Sequence, residues 1–367
     1  MTSQSATLEG TRSYAQKYPE FEKAGHYRDF MGLKVSSLGL GTYLGNQNEQ
    51  DDKLYIEAIQ AALLSGCNLI DSAINYRCMR SERNIWEGLG KLITQGKIGR
   101  EEVVVCTKGG FIPFDGAPPA NPSKYFEEEY LKTGICKAKE IVAGCHCMAP
   151  SFIRNQVERS LHNLGLACID LYYLHNPEMQ LDEVPRDEFI FRLERAFEEL
   201  EKLVKEGKIG AYGTATWNGY RVDSHSQEYL SLSDILKTAE KAGGSAHHFK
   251  AVQLPYNIGM AEAFGFANQV LGSQTVPFLQ AAKANGISVF TSASILQSKL
   301  SKNLPPVVAQ TFTGLQTDAQ RAIQFVRSTP GVTAALVGMK KKEHVEENLK
   351  VAAVPPESAA KVGSLFS

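Results

Sequence analysis

Eight short apolar or β-branched runs recur along the chain, each separated from the next by a longer amphipathic stretch. The runs fall at 35–39, 69–71, 103–107, 170–174, 209–213, 251–254, 287–291 and 334–337. Helix-like periodicity occupies 53–64, 82–92, 152–161, 189–205 and 234–241 between them. Ser151 is the expected cap of the third of these helices. Buried strands alternating with helices define an α/β chain, and eight such units predict a (β/α)8 TIM barrel. A doubly wound sheet shows the same alternation with fewer units. No Gly/Ser- or Pro-rich linker divides the chain, so residues 27–367 are expected to form one barrel domain. Residues 1–26 lack strong periodicity and read as an N-terminal extension. Long loops interrupt the rhythm after the third and seventh strands, at 109–150 and 295–316. Both leave strand C-termini, the face that carries barrel active sites. The first, rich in prolines, is expected to form a lid over that face.

Charge narrows the partners. Lys plus Arg number 39 and Asp plus Glu 40, a net charge of −1. No field of either sign favours nucleic acid or an anionic membrane. The apolar runs are too short to span a bilayer. The polar N-terminus shows no signal peptide, and seven cysteines spread over 367 residues read as reduced thiols. A cytoplasmic location is expected. Cys136, Cys145, His146 and Cys147 lie in the first long loop without a C-x-x-C pair, and no metal is expected there.

The strand ends carry chemistry. Asp71 closes the second strand and Tyr76 follows five residues later; Lys108 closes the third and His175 the fourth. In a barrel these ends converge on one rim. A lysine paired with an aspartate stays cationic, and a nearby cation lowers a tyrosine pKa. A tyrosine tuned in this way can protonate a carbonyl oxygen while hydride reaches its carbon, with histidine as a second donor. Arg77, next to Tyr76, is expected to point to solvent or to Glu82. Trp217, just past the fifth strand, is a candidate to line the pocket or seal the rim.

Several segments, taken in order, resemble the aldo-keto reductase family. They are GLGT at 39–42, DSAINY at 71–76 with Ser81–Glu82 beyond, the TK pair at 107–108 and YYLH at 172–175. KIGAYGTATW at 208–217, VQLPYN at 252–257 and VGMKKKEHVEENL at 337–349 follow. The resemblance implies a TIM barrel, an NADP(H) cofactor and carbonyl reduction or alcohol oxidation on a small molecule. It makes Tyr76 the general acid/base, Lys108 and Asp71 its tuning pair, and His175 the carbonyl-orienting donor. It sets Gly41, Thr42, Asp71, Gln253 and Ser292 beside the cofactor, with Gln253 at the nicotinamide carboxamide. Gly338, Lys340, His344, Glu347 and Asn348 occupy the segment that grips the adenosine phosphate. A Rossmann site is not indicated, because Gly39, Gly41 and Gly45 have the wrong spacing. The lysines at 340–342 instead open a helix, where a 2′-phosphate would meet both cations and free N–H groups. Two positions depart from the family. Ala215 replaces a polar residue after the fifth strand, and Ser292 stands where an aromatic usually faces the nicotinamide. These departures favour an alternative, a cofactor-binding regulatory subunit without turnover, of the kind associated with channels. The intact Asp71, Tyr76, Lys108 and His175 set argues for the enzyme.

Overall fold

A computed structural model describes residues 4–366. Eight parallel strands close into one barrel. In chain order they are Leu38–Gly41, Leu69–Asp71, Val104–Gly109, Ile169–His175, Ile209–Ala215, Phe249–Pro255, Ser288–Ser292 and Val332–Gly338. Each pairs with its sequence neighbours, and the eighth pairs with the first. Helices follow the strands and cover the outside, from Glu49–Leu63 after the first strand to Lys342–Asn348 after the eighth. The expected (β/α)8 architecture is the observed one.

Side-chain alternation explains both layers of the core. Leu69, Val104, Cys106, Leu171, Tyr173, Ala211, Ala251, Phe290, Ala334 and Leu336 fill the barrel interior. The intervening residues, such as Ile70, Val105 and Tyr172, face outward and pack under the helices. Carried to the strand ends, the same alternation turns Asp71, Lys108, His175, Gln253 and Ser292 inward at the C-terminal rim.

The first strand is shifted from its expected position. Barrel pairing runs over Leu38–Gly41, whereas Leu33–Ser36 pairs antiparallel with Tyr27–Phe30 as a hairpin. Val35 and Phe30 of this hairpin join the interior cluster and plug the N-terminal end of the barrel. Phe30 meets Phe290 edge-on, with ring centroids 5.2 Å apart. Ahead of it, residues 8–16 and 19–23 are helical, while the first three residues of the expected extension lie outside the described ones. Thr7 caps the first of these helices, and Tyr14, fully buried, donates a hydrogen bond to the Leu63 carbonyl at 2.7 Å.

The helix Pro150–Leu164 starts two residues earlier than expected. Ala149 is its cap and Pro150 its first residue, while Ser151 Oγ donates to the Ile135 carbonyl at 2.7 Å. Proline suits this position because its missing N–H would have no helical partner. No helix among the described residues is long and apolar enough to cross a membrane.

Candidate active site

The inward rim residues form a cluster at one end of a cavity of about 500 Å³. Register brings them together: Asp71 lies opposite Gly41 and Cys106, and Lys108 stands two residues beyond Cys106 on the same face. Lys108 Nζ donates to Asp71 Oδ2 at 2.6 Å and to the Ser72 carbonyl at 2.6 Å. Gln253 Nε2 donates to Asp71 Oδ1 at 2.8 Å. Both oxygens of the carboxylate are therefore held. The Lys108 ammonium also reaches the Tyr76 hydroxyl and lies 4.9 Å from its ring centroid. The rings of Tyr76 and His175 are 5.8 Å apart, and Tyr43 packs on Tyr76 from outside at 5.0 Å.

Electrostatics follow from burial and this pairing. Burial works against the Lys108 cation, but Asp71 and Tyr76 together outweigh it and hold its pKa above the ordinary value. Burial pushes the Tyr76 hydroxyl up; Lys108 pulls it down and Asp71 pushes it up again, leaving it raised. The lysine thus restrains the tyrosine pKa without lowering it below its ordinary value, contrary to the sequence-based expectation, because burial of the hydroxyl outweighs the cation and the carboxylate beside the lysine offsets part of its field. Burial, the Lys108 cation and His146 hold His175 well below the usual histidine range, so its imidazole is neutral.

Gly41, Thr42, Asp71, Tyr76, His175, Gln253, Ser292 and Gly338 line the cavity, with Lys108 buried beneath them. Thr42 is itself buried and donates to Ser72 Oγ and the Asp71 carbonyl, tying the first and second strand ends together. Lys340, His344, Glu347 and Asn348 are not brought to its wall. They lie just past the eighth strand, in and beside the helix Lys342–Asn348. There Lys340 Nζ is held by both oxygens of Asp51, at 3.0 and 2.9 Å. Asn348 is buried and His344 exposed.

Other lining residues come from loops. Tyr43, Phe111, Trp217 and Ile295 supply apolar surface, and Asn75 and Asn176 supply amides. Asn75 Oδ1 and His175 Nδ1 have no hydrogen-bond partner among the described residues. Tyr43 and Trp217, 57% and 46% exposed, stand at the mouth where a ligand would cover them. Of these residues the sequence reading singles out only Trp217, by its place just past the fifth strand; Asn176 directly follows the end of the fourth strand, and Phe111 lies three residues beyond Lys108.

Two further expectations need correction. The loop after the third strand contributes only Phe111 to the cavity. Its remainder packs on the barrel flank, where Tyr130 is fully buried against Phe152. The residues that cover the cavity are instead 293–298, after the seventh strand, with Leu296, Gln297 and Ser298 in left-handed conformations. Arg77 faces neither solvent nor Glu82. With φ 50 it turns inward, bonding the Asn46 carbonyl, Asn84 and Asp52, and lies over the Tyr55 ring. Glu82 is engaged elsewhere, accepting from Thr107 at 2.7 Å and Asn163 at 2.9 Å.

The aldo/keto reductase family model matches residues 37–365, and the chain belongs to that family. A Schizosaccharomyces pombe relative, provisionally named as a voltage-gated potassium channel subunit beta, is 25% identical over 92% of this chain and 91% of its own. The NADH-specific methylglyoxal reductase of Escherichia coli is 30% identical over 55% of this chain and 54% of its own. Among solved structures, an aldo/keto reductase from Klebsiella pneumoniae in complex with NADP and acetate superposes with a TM-score of 0.61 at 20% identity, covering 93% of this chain and 94% of that one. The glycerol dehydrogenase of Gluconobacter oxydans gives 0.64 at 19% identity over 94% of both chains. These two likenesses show the barrel fold.

Proposed function

We propose that this chain is an NADP(H)-dependent oxidoreductase that reduces aldehyde or ketone carbonyls, or oxidises the corresponding alcohols. The observation that carries this reading is the buried Asp71–Lys108 pair in contact with Tyr76, beside a neutral His175, on the wall of one cavity. The residues present fit the nicotinamide cofactor. Gln253, Asn75 and Asn176 offer amides to a carboxamide, and two of the polar cavity atoms lack protein partners. Gly338 leaves open space, where an added Cβ would meet only Leu44 Cδ1 at 3.7 Å. Gly41, Thr42, Gln253 and Ser292 would hold the nicotinamide end; Gly338, Lys340, His344, Glu347 and Asn348 would hold the adenosine phosphate. The bound cofactor supplies or accepts the hydride.

The chain's residues handle the proton. His175, neutral and in the cavity wall, orients the carbonyl oxygen by a hydrogen bond. Tyr76 donates its hydroxyl proton to that oxygen as negative charge develops there. Lys108 stabilises the resulting tyrosinate, and Asp71 keeps the lysine charged and in place. In alcohol oxidation the same groups run in reverse.

A second reading, a cofactor-binding subunit without turnover, is supported by similarity to proteins named as channel subunits and by Ala215, which offers no side-chain donor to the cavity. The experiment that separates the two is a steady-state assay of NADPH oxidation with aldehydes of graded size, run beside NADP reduction with the matching alcohols. Turnover across the panel supports the enzyme. Stoichiometric NADPH binding with no turnover in either direction overturns it.

A further inference from the structure

His146 lies in the loop after the third strand, outside every family segment of the sequence, and is fully buried. Its ring bridges that loop to the end of the fourth strand. Nε2 lies 2.7 Å from the carbonyl oxygen of His175, and Nδ1 lies 2.9 Å from Gln180 Nε2. The direction of these bonds follows from the next partner. Arg192 donates to Gln180 Oε1 at 2.8 Å, so the other end of that amide, its NH2, faces His146. Nδ1 therefore accepts, Nε2 carries the proton, and His146 donates to His175. Burial lowers the His146 pKa to about 4, which keeps this neutral tautomer at physiological pH.

The surroundings are shaped to this contact. Gly110 has φ +139, and a Cβ there would meet His146 Nε2 at 2.8 Å and the His175 carbonyl oxygen at 3.0 Å. Only glycine lets the two histidines approach so closely. Phe111 packs edge-on against both rings, 5.3 Å from His146 and 4.9 Å from His175. The Cys147 N–H donates to the Gly110 carbonyl at 2.8 Å, fixing the hairpin that presents His146. His175 itself has no partner for Nδ1 among the described residues. Its ring is therefore held by its backbone and by the rings of Phe111 and Tyr76, and His146 touches two of these supports, the His175 carbonyl and Phe111.

We propose that His146 is a positioning residue: through its bond to the His175 carbonyl it fixes the imidazole that orients the substrate carbonyl. The Gln180–Arg192 relay sets its tautomer. This inference rests on the role assigned to His175 under the proposed function. A ring displaced by about 1 Å can cost up to about a hundredfold in rate.

The test uses the full-length protein carrying His146→Ala, His146→Gln or Gln180→Met, each checked for folding by thermal unfolding. The readouts are kcat and KM for aldehyde reduction and the titration of His175 followed by NMR of labelled histidines. The titratable groups facing His175 are Lys108, Tyr76 and His146. Replacing His146 removes one group that lowers the His175 pKa and admits water, so the titration moves up toward the ordinary value near 6.5. His146→Ala is expected to lower kcat about tenfold or more, with KM within about threefold. His146→Gln, which can still donate to the carbonyl, should recover most of kcat. Gln180→Met should shift both readouts in the same direction, by less. A folded His146→Ala or Gln180→Met protein with unchanged kcat and an unmoved His175 titration overturns the proposal. If the wild-type protein turns over no carbonyl, the proposed function fails, and the NMR titration alone decides whether His146 positions His175.

Discussion

Tyr76 sits between a cation that lowers its pKa and a carboxylate and apolar walls that raise it, and the raising effects prevail. His175 is displaced the other way, well below its ordinary range. The consequence for pH has a definite sign. In carbonyl reduction the acid is protonated Tyr76, which persists up to and beyond its ordinary pKa near 10. Neutral His175 persists well below pH 6.5. We therefore expect kcat/KM for reduction to be flat from about pH 6 to 9 and to fall only as Tyr76 ionises. Alcohol oxidation, which needs the tyrosinate, should rise over the same range. A pH–rate profile checks this, and an acid limb near pH 6.5 in reduction would assign the titration to His175 instead. Lys340 makes a second prediction at this scale. Its partner here is Asp51, and a 2′-phosphate would have to draw it away. Lys340→Ala should weaken NADPH binding by roughly 1–3 kcal/mol and leave NADH nearly unaffected, as read by fluorescence titration. Equal losses for the two cofactors would remove Lys340 from the phosphate site.

Elements differ in how plainly the sequence announces them. The eight strands are legible because each is a buried apolar run, and the two-residue alternation carries that legibility to the rim. Once Leu69 and Cys106 face inward, Asp71 and Lys108 must as well. The hairpin Tyr27–Phe30 and Leu33–Ser36 escaped this reading because Val35 points into the barrel just as a strand residue would. The helix Leu8–Gln16 escaped because its buried face is Gly10, Thr11, Tyr14 and Ala15, which forms no apolar stripe. The loops fared worst, since their positions follow from closure geometry and have no period. Two long loops stood out by length alone, and length could not say which one covers the cavity. Residues 293–298 do so, and Ile295 offers the apolar contact. Ile295→Ala should change the ratio of kcat/KM between a bulky and a small aldehyde by roughly tenfold. Tyr130, packed on the flank, should leave that ratio unchanged when truncated. A constant ratio in Ile295→Ala would remove the seventh-strand loop from substrate selection.

For the whole molecule, the barrel is a scaffold whose apolar interior ends in one polar layer, and the cost of burying that layer is visible in its ionisation. Glu178, beyond the fourth strand, is buried and accepts the N–H of Trp217 at 2.6 Å and of Asn218 at 3.2 Å, while its other oxygen has no partner among the described residues. Burial raises its pKa to about 7 despite these donors. A raised folded-state pKa means the native protein holds a proton that the unfolded chain releases. Stability from this group is full below about pH 4.3 and falls as pH rises through about 7, by as much as about 3 kcal/mol. Glu178→Gln should flatten that decline in urea unfolding measured from pH 5 to 8; an unchanged slope would mean another group causes it. The most direct measurement of the central claim concerns one oxygen atom. Tyr76→Phe removes the hydroxyl and keeps the ring, so NADPH affinity, read by titration, should stay near that of the wild-type protein. Aldehyde reduction, read as NADPH consumption under saturating cofactor, should fall by about 10²–10⁴-fold, the usual loss for a missing general acid. If the folded variant binds NADPH and keeps more than about half of the wild-type kcat with a substrate whose chemical step is slow, Tyr76 is not the proton donor and the account is contradicted.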